Sequence, residues 1–267
     1  EFSEVRGQQR LVRSLQIAAA GGHHLVAYGP PGSGKTLALS RFPALLPLLD
    51  GETAVTVTRI HSLAGFPPGR FTDPVATMHA GGGFETGGGS AGSGGGFDTG
   101  GDSARTCSDA TEGTLLRSQL LTDPPFREPH PNASLEGIAG GGRLLRPGEI
   151  SLAHGGVLFL DEAAQFRTTV LQALRSPLET GTVTVSRAGK TAQFPARFQL
   201  LMAMNPCPCG NYAAKNRICT CSPEAVEKYW RKLGAPLLDR IDLRVAVETP
   251  DPDELTERGS VSAGYGP

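Results

Sequence analysis

The 267-residue chain carries a net charge of −1 and is 39% hydrophobic, enough to bury one substantial α/β core and too balanced in charge to bind a polyanion over its whole surface. No apolar run reaches the length of about 18 residues that a membrane helix needs, and the amino terminus lacks a basic-then-apolar signal pattern. A soluble cytoplasmic protein with no membrane partner is therefore expected, in which any nucleic-acid contact comes from a local basic patch.

Residues 7–20 place Leu11, Leu15, Ala18 and Ala19 at helical spacing and stop at Gly21-Gly22, as a glycine C-cap requires. A short apolar strand candidate, Gly22–Tyr28, follows. It runs into Gly29-Pro30-Pro31-Gly32-Ser33-Gly34-Lys35-Thr36, the phosphate-binding pattern G-x-x-x-x-G-K-[ST], and then into a helical pattern over Lys35–Leu46. Strand, glycine-rich loop and helix start are what a polyphosphate needs. Convergent backbone N–H groups approach without a Cβ, and the helix adds its positive end. Lys35 is expected to meet the β/γ-phosphates and Thr36 to ligate Mg²⁺, so ATP and Mg²⁺ are the expected ligands.

Over Glu52–Leu63 the signals conflict: Val55 and Val57 alternate like a strand, while Val57, Ile60 and Leu63 suit a helix or turn. Between Gly81 and Gly101, twelve of twenty-one residues are glycine, and Gly81–Gly88 returns as Gly94–Gly101. Such a composition cannot offset backbone entropy by burial and reads as a mobile insertion, with Phe84 and Phe97 either exposed aromatics on a tether or anchors for a partner. Cys107 reads as a free thiol.

Gly156–Leu160 is a continuous apolar run ending in Asp161 and Glu162, the pattern of a parallel strand buried on both faces with acids at its carboxyl end. Asp161 is expected to hold the Mg²⁺ hydration shell and Glu162 to orient or deprotonate the attacking water. A helix is expected over 168–178, with Val170, Leu174 and Leu178 on one face. Next comes a hairpin, Thr182–Ser186 returning as Thr191–Phe194 around Arg187-Ala188-Gly189-Lys190. Its basic tip suits either solvation or contact with a polyanion.

Gln199–Met204 reads as another buried strand ending at Asn205. Beyond it Cys207, Cys209, Cys219 and Cys221 form two C-x-C pairs separated by nine residues, a metal-knuckle spacing more than a disulfide framework. Tetrahedral Zn²⁺ leads over reduced structural thiols and a disulfide. Ser222-Pro223-Glu224 opens a helix that carries Val226, Trp230 and Leu233 to a stop at Gly234, and Leu243–Val247 supplies a last strand.

Taken in order, several runs resemble the AAA+ ATPases of the magnesium-chelatase-like group, and most closely the bacterial ComM (YifB-like) competence proteins. They are Gly29–Thr36, Arg146–Glu162, Leu178–Gly181, Phe194–Phe198, Ala203–Gly210 and Pro236–Leu243. The resemblance spans residues 5–249 apart from the insertion. It implies a three-layer P-loop NTPase core over 1–250, with a mostly parallel five-stranded sheet, an inserted β-hairpin, a glycine-rich insertion at 66–113 and a four-cysteine knuckle at 205–222.

It further implies a hexameric, ATP-driven motor acting on DNA, in helicase or branch-migration work during transformation and recombination. The motor subunit of a magnesium chelatase, and a non-hydrolysing nucleotide switch or zinc-stabilised binding module, are the alternatives. Asn205 resembles the sensor-1 residue that helps place the attacking water. Arg240 resembles the arginine finger on a neighbour's γ-phosphate, its local alternative being a salt bridge with Asp239 or Asp242. The hairpin resembles the pre-sensor-1 insertion that faces the central pore, which makes Arg187 and Lys190 candidates for DNA contact.

Departures from the family pattern limit the transfer. The run R-P-F-R-x-P-H-H reads here as Pro124-Pro-Phe-Arg-Glu-Pro-His130-Pro131, so any role of its second histidine is lost. The insertion is longer than usual. The chain resembles a core fragment: residues 251–267 form a tail that ends before the helical lid bearing sensor 2, and no Lon-like amino-terminal domain precedes the core. Such a fragment is expected to bind Mg-nucleotide and to hydrolyse it poorly alone.

Overall fold

The computed structural model describes residue 5 and residues 7–65, 120–212 and 217–249. The glycine-rich insertion, Cys107 and the 251–267 tail lie outside the described residues.

Helix α1 (Gln9–Gly21) buries Leu11, Leu15 and Ala18 and closes on Gly22, whose φ of 69° is the left-handed cap expected of glycine. Strand β1 (Leu25–Tyr28) leads into the loop and helix α2 (Lys35–Ser40). The helix expected to reach Leu46 ends at Ser40 and continues as a 3₁₀ turn over Phe42–Leu45. Pro43 is the reason: its ring clashes with the carbonyl four residues back, and it pushes the residue before it out of the α region.

The ambiguous segment is helix α3 (Gly51–Ala64), opened by Asp50, whose side chain accepts the Thr53 N–H at 2.9 Å, and closed by Gly65 at φ 92°. Ala54, Val57, Ile60 and His61 form its buried face and Val55 points outward, so the apparent alternation of valines is incidental.

Strand β2 (Phe126–Arg127), helix α4 (Leu135–Ala139), the short pair β3 (Gly140–Gly141) and β4 (Arg146–Pro147), and helix α5 (Glu149–Leu152) precede the acidic strand β5 (Val157–Leu160). The helix expected over 168–178 is two, α6 (Thr168–Ala173) and α7 (Arg175–Thr180). Pro177 has no N–H for the Ala173 carbonyl, so the ladder breaks at Leu174. The hairpin β6 (Thr182–Arg187) and β7 (Lys190–Pro195) turns on Ala188 and Gly189, both at positive φ (48° and 77°), as a tight two-residue turn needs. Strand β8 (Gln199–Met204), helix α8 (Pro223–Arg231), helix α9 (Ala235–Leu238) and strand β9 (Leu243–Ala246) complete the described chain. Ser222 caps α8 as its hydroxyl implied, accepting from the Ala225 N–H.

The main sheet has the expected five strands, in the order β2-β5-β8-β1-β9, and each pairing in it among the described residues is parallel. Both faces are buried. Leu158 and Leu160 of β5 and Leu200, Met202 and Met204 of β8 point into one core with Val170, Leu171 and Leu174. Val157, Phe159, Leu201 and Ala203 point into the other, with Leu11, Leu15, Leu39 and Phe42. The result is a three-layer α/β core, in which neighbouring residues of one strand enter opposite layers.

Candidate nucleotide site and cysteine knuckle

Register places the chemistry. Tyr28 lies beside Met204, and Leu160 beside Met202, so the carboxyl ends of β1, β8 and β5 open on one crevice. There the phosphate loop, Asn205 and the Asp161-Glu162 pair emerge together, at the end of a parallel sheet where ligands bind.

Gly32 and Gly34 hold φ of 79° and 81°, and a Cβ built on either would have open space around it. Their requirement is therefore conformational. Gly29 is different: a Cβ there would collide with the Val247 carbonyl, because the chain beyond β9 passes directly over it.

Lys35 is 8% exposed, and its Nζ donates to the carbonyls of Gly29 (2.9 Å) and Pro30 (2.8 Å) and to Ser33 Oγ (3.3 Å). Burial lowers its pKa, and the charge of Asp161 opposes that shift. Thr36 Oγ1 donates to Asp161 Oδ2 at 3.1 Å, which brings together two residues 125 positions apart. The other Asp161 oxygen accepts the Glu162 N–H at 2.9 Å. Glu162 itself sits at φ 49°, a left-handed conformation that costs a non-glycine residue about 1–3 kcal/mol. Its carboxylate accepts from the Gln165 side chain.

Asn205 follows directly on the carboxyl end of β8. Arg240 lies apart from the phosphate loop at the end of α9. It pairs with Glu179 of α7 and donates to the Pro236 carbonyl. The local salt bridge therefore exists, with an acid other than the expected Asp239 or Asp242. Asp242 instead accepts the His24 N–H at 2.8 Å.

Two residues at the site carry no motif signal. Glu128 follows β2, and desolvation first, then the nearby charge of Asp161, pushes its carboxyl upward. Gln8 is 7% exposed and its Nε2 donates to the carbonyls of Ser33 (3.0 Å) and Glu248 (2.7 Å), tying the entry segment to the phosphate loop and to the chain after β9. Neither contact could be foreseen, because both join segments distant in sequence. Replacing Gln8 by alanine would leave these acceptors unmatched, at a cost of about 1–3 kcal/mol, or roughly 2–12 °C in melting temperature. Calorimetry on the variant checks this.

The four cysteine sulfurs lie within 4.8 Å of one another. Cys207 is 3.4 Å from Cys209 and 3.7 Å from Cys219, and Cys209 is 3.6 Å from Cys219. These separations far exceed a disulfide of about 2.05 Å, and they approach the sulfur–sulfur edge of about 3.8 Å that a tetrahedron with Zn–S near 2.3 Å would have. Backbone N–H groups face the sulfurs, that of Tyr212 reaching Cys207 Sγ at 3.4 Å. The Asn211 amide first, then the Cys207 thiol and the Thr220 amide, hold the Cys209 thiol down to about 6, while Cys219, against the Cys221 amide that lowers it, is pushed up to about 12 by desolvation and the neighbouring sulfurs. A thiolate-binding metal such as Zn²⁺ fits this donor set.

The hairpin tip is solvent-facing, with Arg187 3.7 Å from Glu136 and both side chains more than half exposed. A cavity of about 720 Å³ lies beneath the hairpin, against α4 and α7 and away from the phosphate loop. The site chemistry is at the strand ends, and that cavity holds none of it. No described helix is long and apolar enough to cross a membrane.

The family model for magnesium chelatase, subunit ChlI, matches residues 1–79 and 104–255. The chain belongs to this family. The magnesium chelatase family member is 39% identical over 246 residues to the uncharacterized protein Rv2897c of Mycobacterium tuberculosis, covering 92% of this chain and 39% of that one. It is 36% identical over 266 residues to the competence protein ComM of Haemophilus influenzae, covering 98% of this chain and 42% of the relative. The chain thus spans about two-fifths of the length of these relatives. Its fold is similar to that of a chain in the complex between subunits BchI and BchD of magnesium chelatase, at a TM-score of 0.52 and 18% identity over 95% of this chain and 63% of that one.

Proposed function

We propose that this magnesium chelatase family member is an ATP-hydrolysing AAA+ motor of the ComM type that acts on DNA. The observation that carries the ATPase reading is the 3.1 Å contact between Thr36 and Asp161, which brings the phosphate loop and the acidic strand end together, as shared Mg²⁺ binding would require. In this reading residues 29–36 cradle ATP, Lys35 turns from the loop carbonyls to the β/γ-phosphates, and Thr36 and Asp161 hold Mg²⁺. Bound Mg²⁺ would neutralise polyphosphate charge. Glu162 orients or deprotonates the attacking water while Asn205 helps to position it. Arg240 serves the neighbouring subunit of a homohexamer after leaving Glu179. The four-cysteine knuckle holds Zn²⁺ as a structural ion. Residues 1–250 form the ATPase core.

DNA is favoured as the partner by the likeness to ComM over nearly the whole chain and by the exposed basic hairpin tip. An exposed pair such as Arg187–Glu136 contributes about 0–1 kcal/mol, so Arg187 can exchange Glu136 for a phosphate at little cost. Arg187→Ala and Lys190→Ala should each weaken DNA binding evenly across sequences and reduce its salt slope by about 1. Fluorescence anisotropy at several salt concentrations measures this.

A second reading, the motor subunit of a metal chelatase, is favoured by the likeness to the BchI–BchD complex. The deciding experiment is ATP hydrolysis by the full-length protein with and without single-stranded or forked DNA, using Lys35→Ala as the blank. Stimulation by DNA supports the motor. Active but DNA-indifferent hydrolysis moves the assignment to the chelatase, and no hydrolysis moves it to a nucleotide switch or zinc-stabilised binding module.

A further inference from the structure

Between Asn205 and Gly210 a single short stretch of chain touches the nucleotide site twice and supplies two of the four clustered sulfurs. Gly210 closes the turn that begins at Cys207, its N–H bonded to the Cys207 carbonyl at 3.0 Å. It lies against the phosphate loop: a Cβ at Gly210 would fall 2.9 Å from Pro31 Cδ and 3.8 Å from Asn205 Cγ, and its φ of 79° admits a side chain only with strain. The turn is also anchored from behind. Trp230 Nε1 donates to the Pro206 carbonyl at 3.1 Å, and the Trp230 ring meets Tyr28, the last residue of β1, edge to face at 5.2 Å. Tyr28 immediately precedes the phosphate loop.

We infer that metal occupancy of the four-cysteine knuckle sets the position of the phosphate loop, so that Zn²⁺ and Mg-nucleotide bind with positive coupling. This rests on the Zn²⁺ reading of the knuckle given above and extends it from a structural ion to a positioning device. The physical argument is one of constraint. Four sulfurs drawn to one ion lock the 207–210 turn, and the outer face of that turn is the surface on which Pro31 rests. Without the ion the sulfurs are no longer held to one centre, the freedom of the turn loosens that surface, and ordering it again opposes nucleotide binding. Gly210 and Pro31 act here as positioning residues, through the loop rather than on the phosphates.

Coupling of this kind is reciprocal, with a size of about 5- to 150-fold. The test measures zinc content and Mg-ATPγS affinity of the full chain, zinc-loaded, zinc-stripped and reloaded, and the strength with which zinc resists a chelator with and without Mg-ATPγS. The expected result is about one equivalent of zinc, at least a fivefold weaker nucleotide affinity after stripping, recovery on reloading, and zinc affinity raised by nucleotide by the same factor. Gly210→Ala, which keeps every cysteine, should retain zinc, bind nucleotide more weakly and lose most of the coupling. Combined with Pro31→Ala, which removes the atoms the new Cβ would strike, it should recover part of that loss, a non-additivity no general destabilisation produces.

Zinc below about 0.3 equivalents overturns the metal reading itself. A full equivalent of zinc with nucleotide affinity unchanged by stripping overturns the coupling alone. If the stripped chain unfolds, the zinc-loaded Gly210→Ala variant decides: unchanged nucleotide affinity there overturns the inference.

Discussion

Lys35→Ala is expected to weaken Mg-ATPγS binding by roughly 30-fold to several thousand-fold, measured by calorimetric titration against the unaltered chain. The size follows from where the ammonium sits. It is buried and donates to two loop carbonyls and Ser33, so it is held beside the place where the β/γ-phosphates would lie. Removing one partner of a buried, hydrogen-bonded charge pair costs about 2–5 kcal/mol, and each 1.4 kcal/mol is about tenfold in affinity. Alanine also leaves the Gly29 and Pro30 carbonyls without their donor, which adds disorder to the loop. An affinity within a factor of three of the unaltered chain would mean that the loop does not bind phosphate.

Glu162→Gln should leave nucleotide affinity intact and lower the hydrolysis step by about 10²- to 10⁴-fold, the usual contribution of a general base. Single-turnover hydrolysis by the full-length protein separates the two effects, with ATP remaining bound and uncleaved. Glutamine keeps the size and hydrogen-bonding reach of the side chain, so the partner at Gln165 and the strained backbone at φ 49° are preserved. What is lost is the ability to accept a proton. Hydrolysis close to the unaltered rate would assign water activation to another group, and Glu128, the carboxyl held up beside Asp161, is then the first to examine.

The features legible in the sequence share a local cause. The phosphate loop could be read because its geometry demands glycines at positive φ and a lysine and threonine at the helix start, all within eight residues. Strand β5 and its two acids were legible because a strand buried on both faces shows an unbroken apolar run. The hairpin, the α8 cap at Ser222 and the glycine cap of α1 were legible for similar reasons.

Helices are shorter than the apolar spacing predicts where proline acts against periodicity. Pro43 and Pro177 each break a pattern that the apolar spacing alone extends, and the periodicity of α3 was masked by β-branched residues that its Asp50 cap and buried face override. Strand β2 is only two residues long, too short for any period to be visible.

The sequence by itself determined that the chain holds the phosphate-binding pattern, an acidic strand end and two cysteine pairs, and the family that their order resembles. Only the tertiary structure decided which of these meet. Parallel register sets Tyr28 beside Met204 and Leu160 beside Met202, and that alone brings Thr36 to Asp161 and Asn205 to the same crevice. It also decided that Gln8 braces the loop, that Arg240 takes Glu179, and that Gly210 rests on Pro31. The division has a physical reason. Backbone conformation and burial leave a periodic or compositional trace near the residue concerned, whereas a contact between segments distant in sequence depends on how the elements are ordered and packed in the fold, and no local pattern records that order.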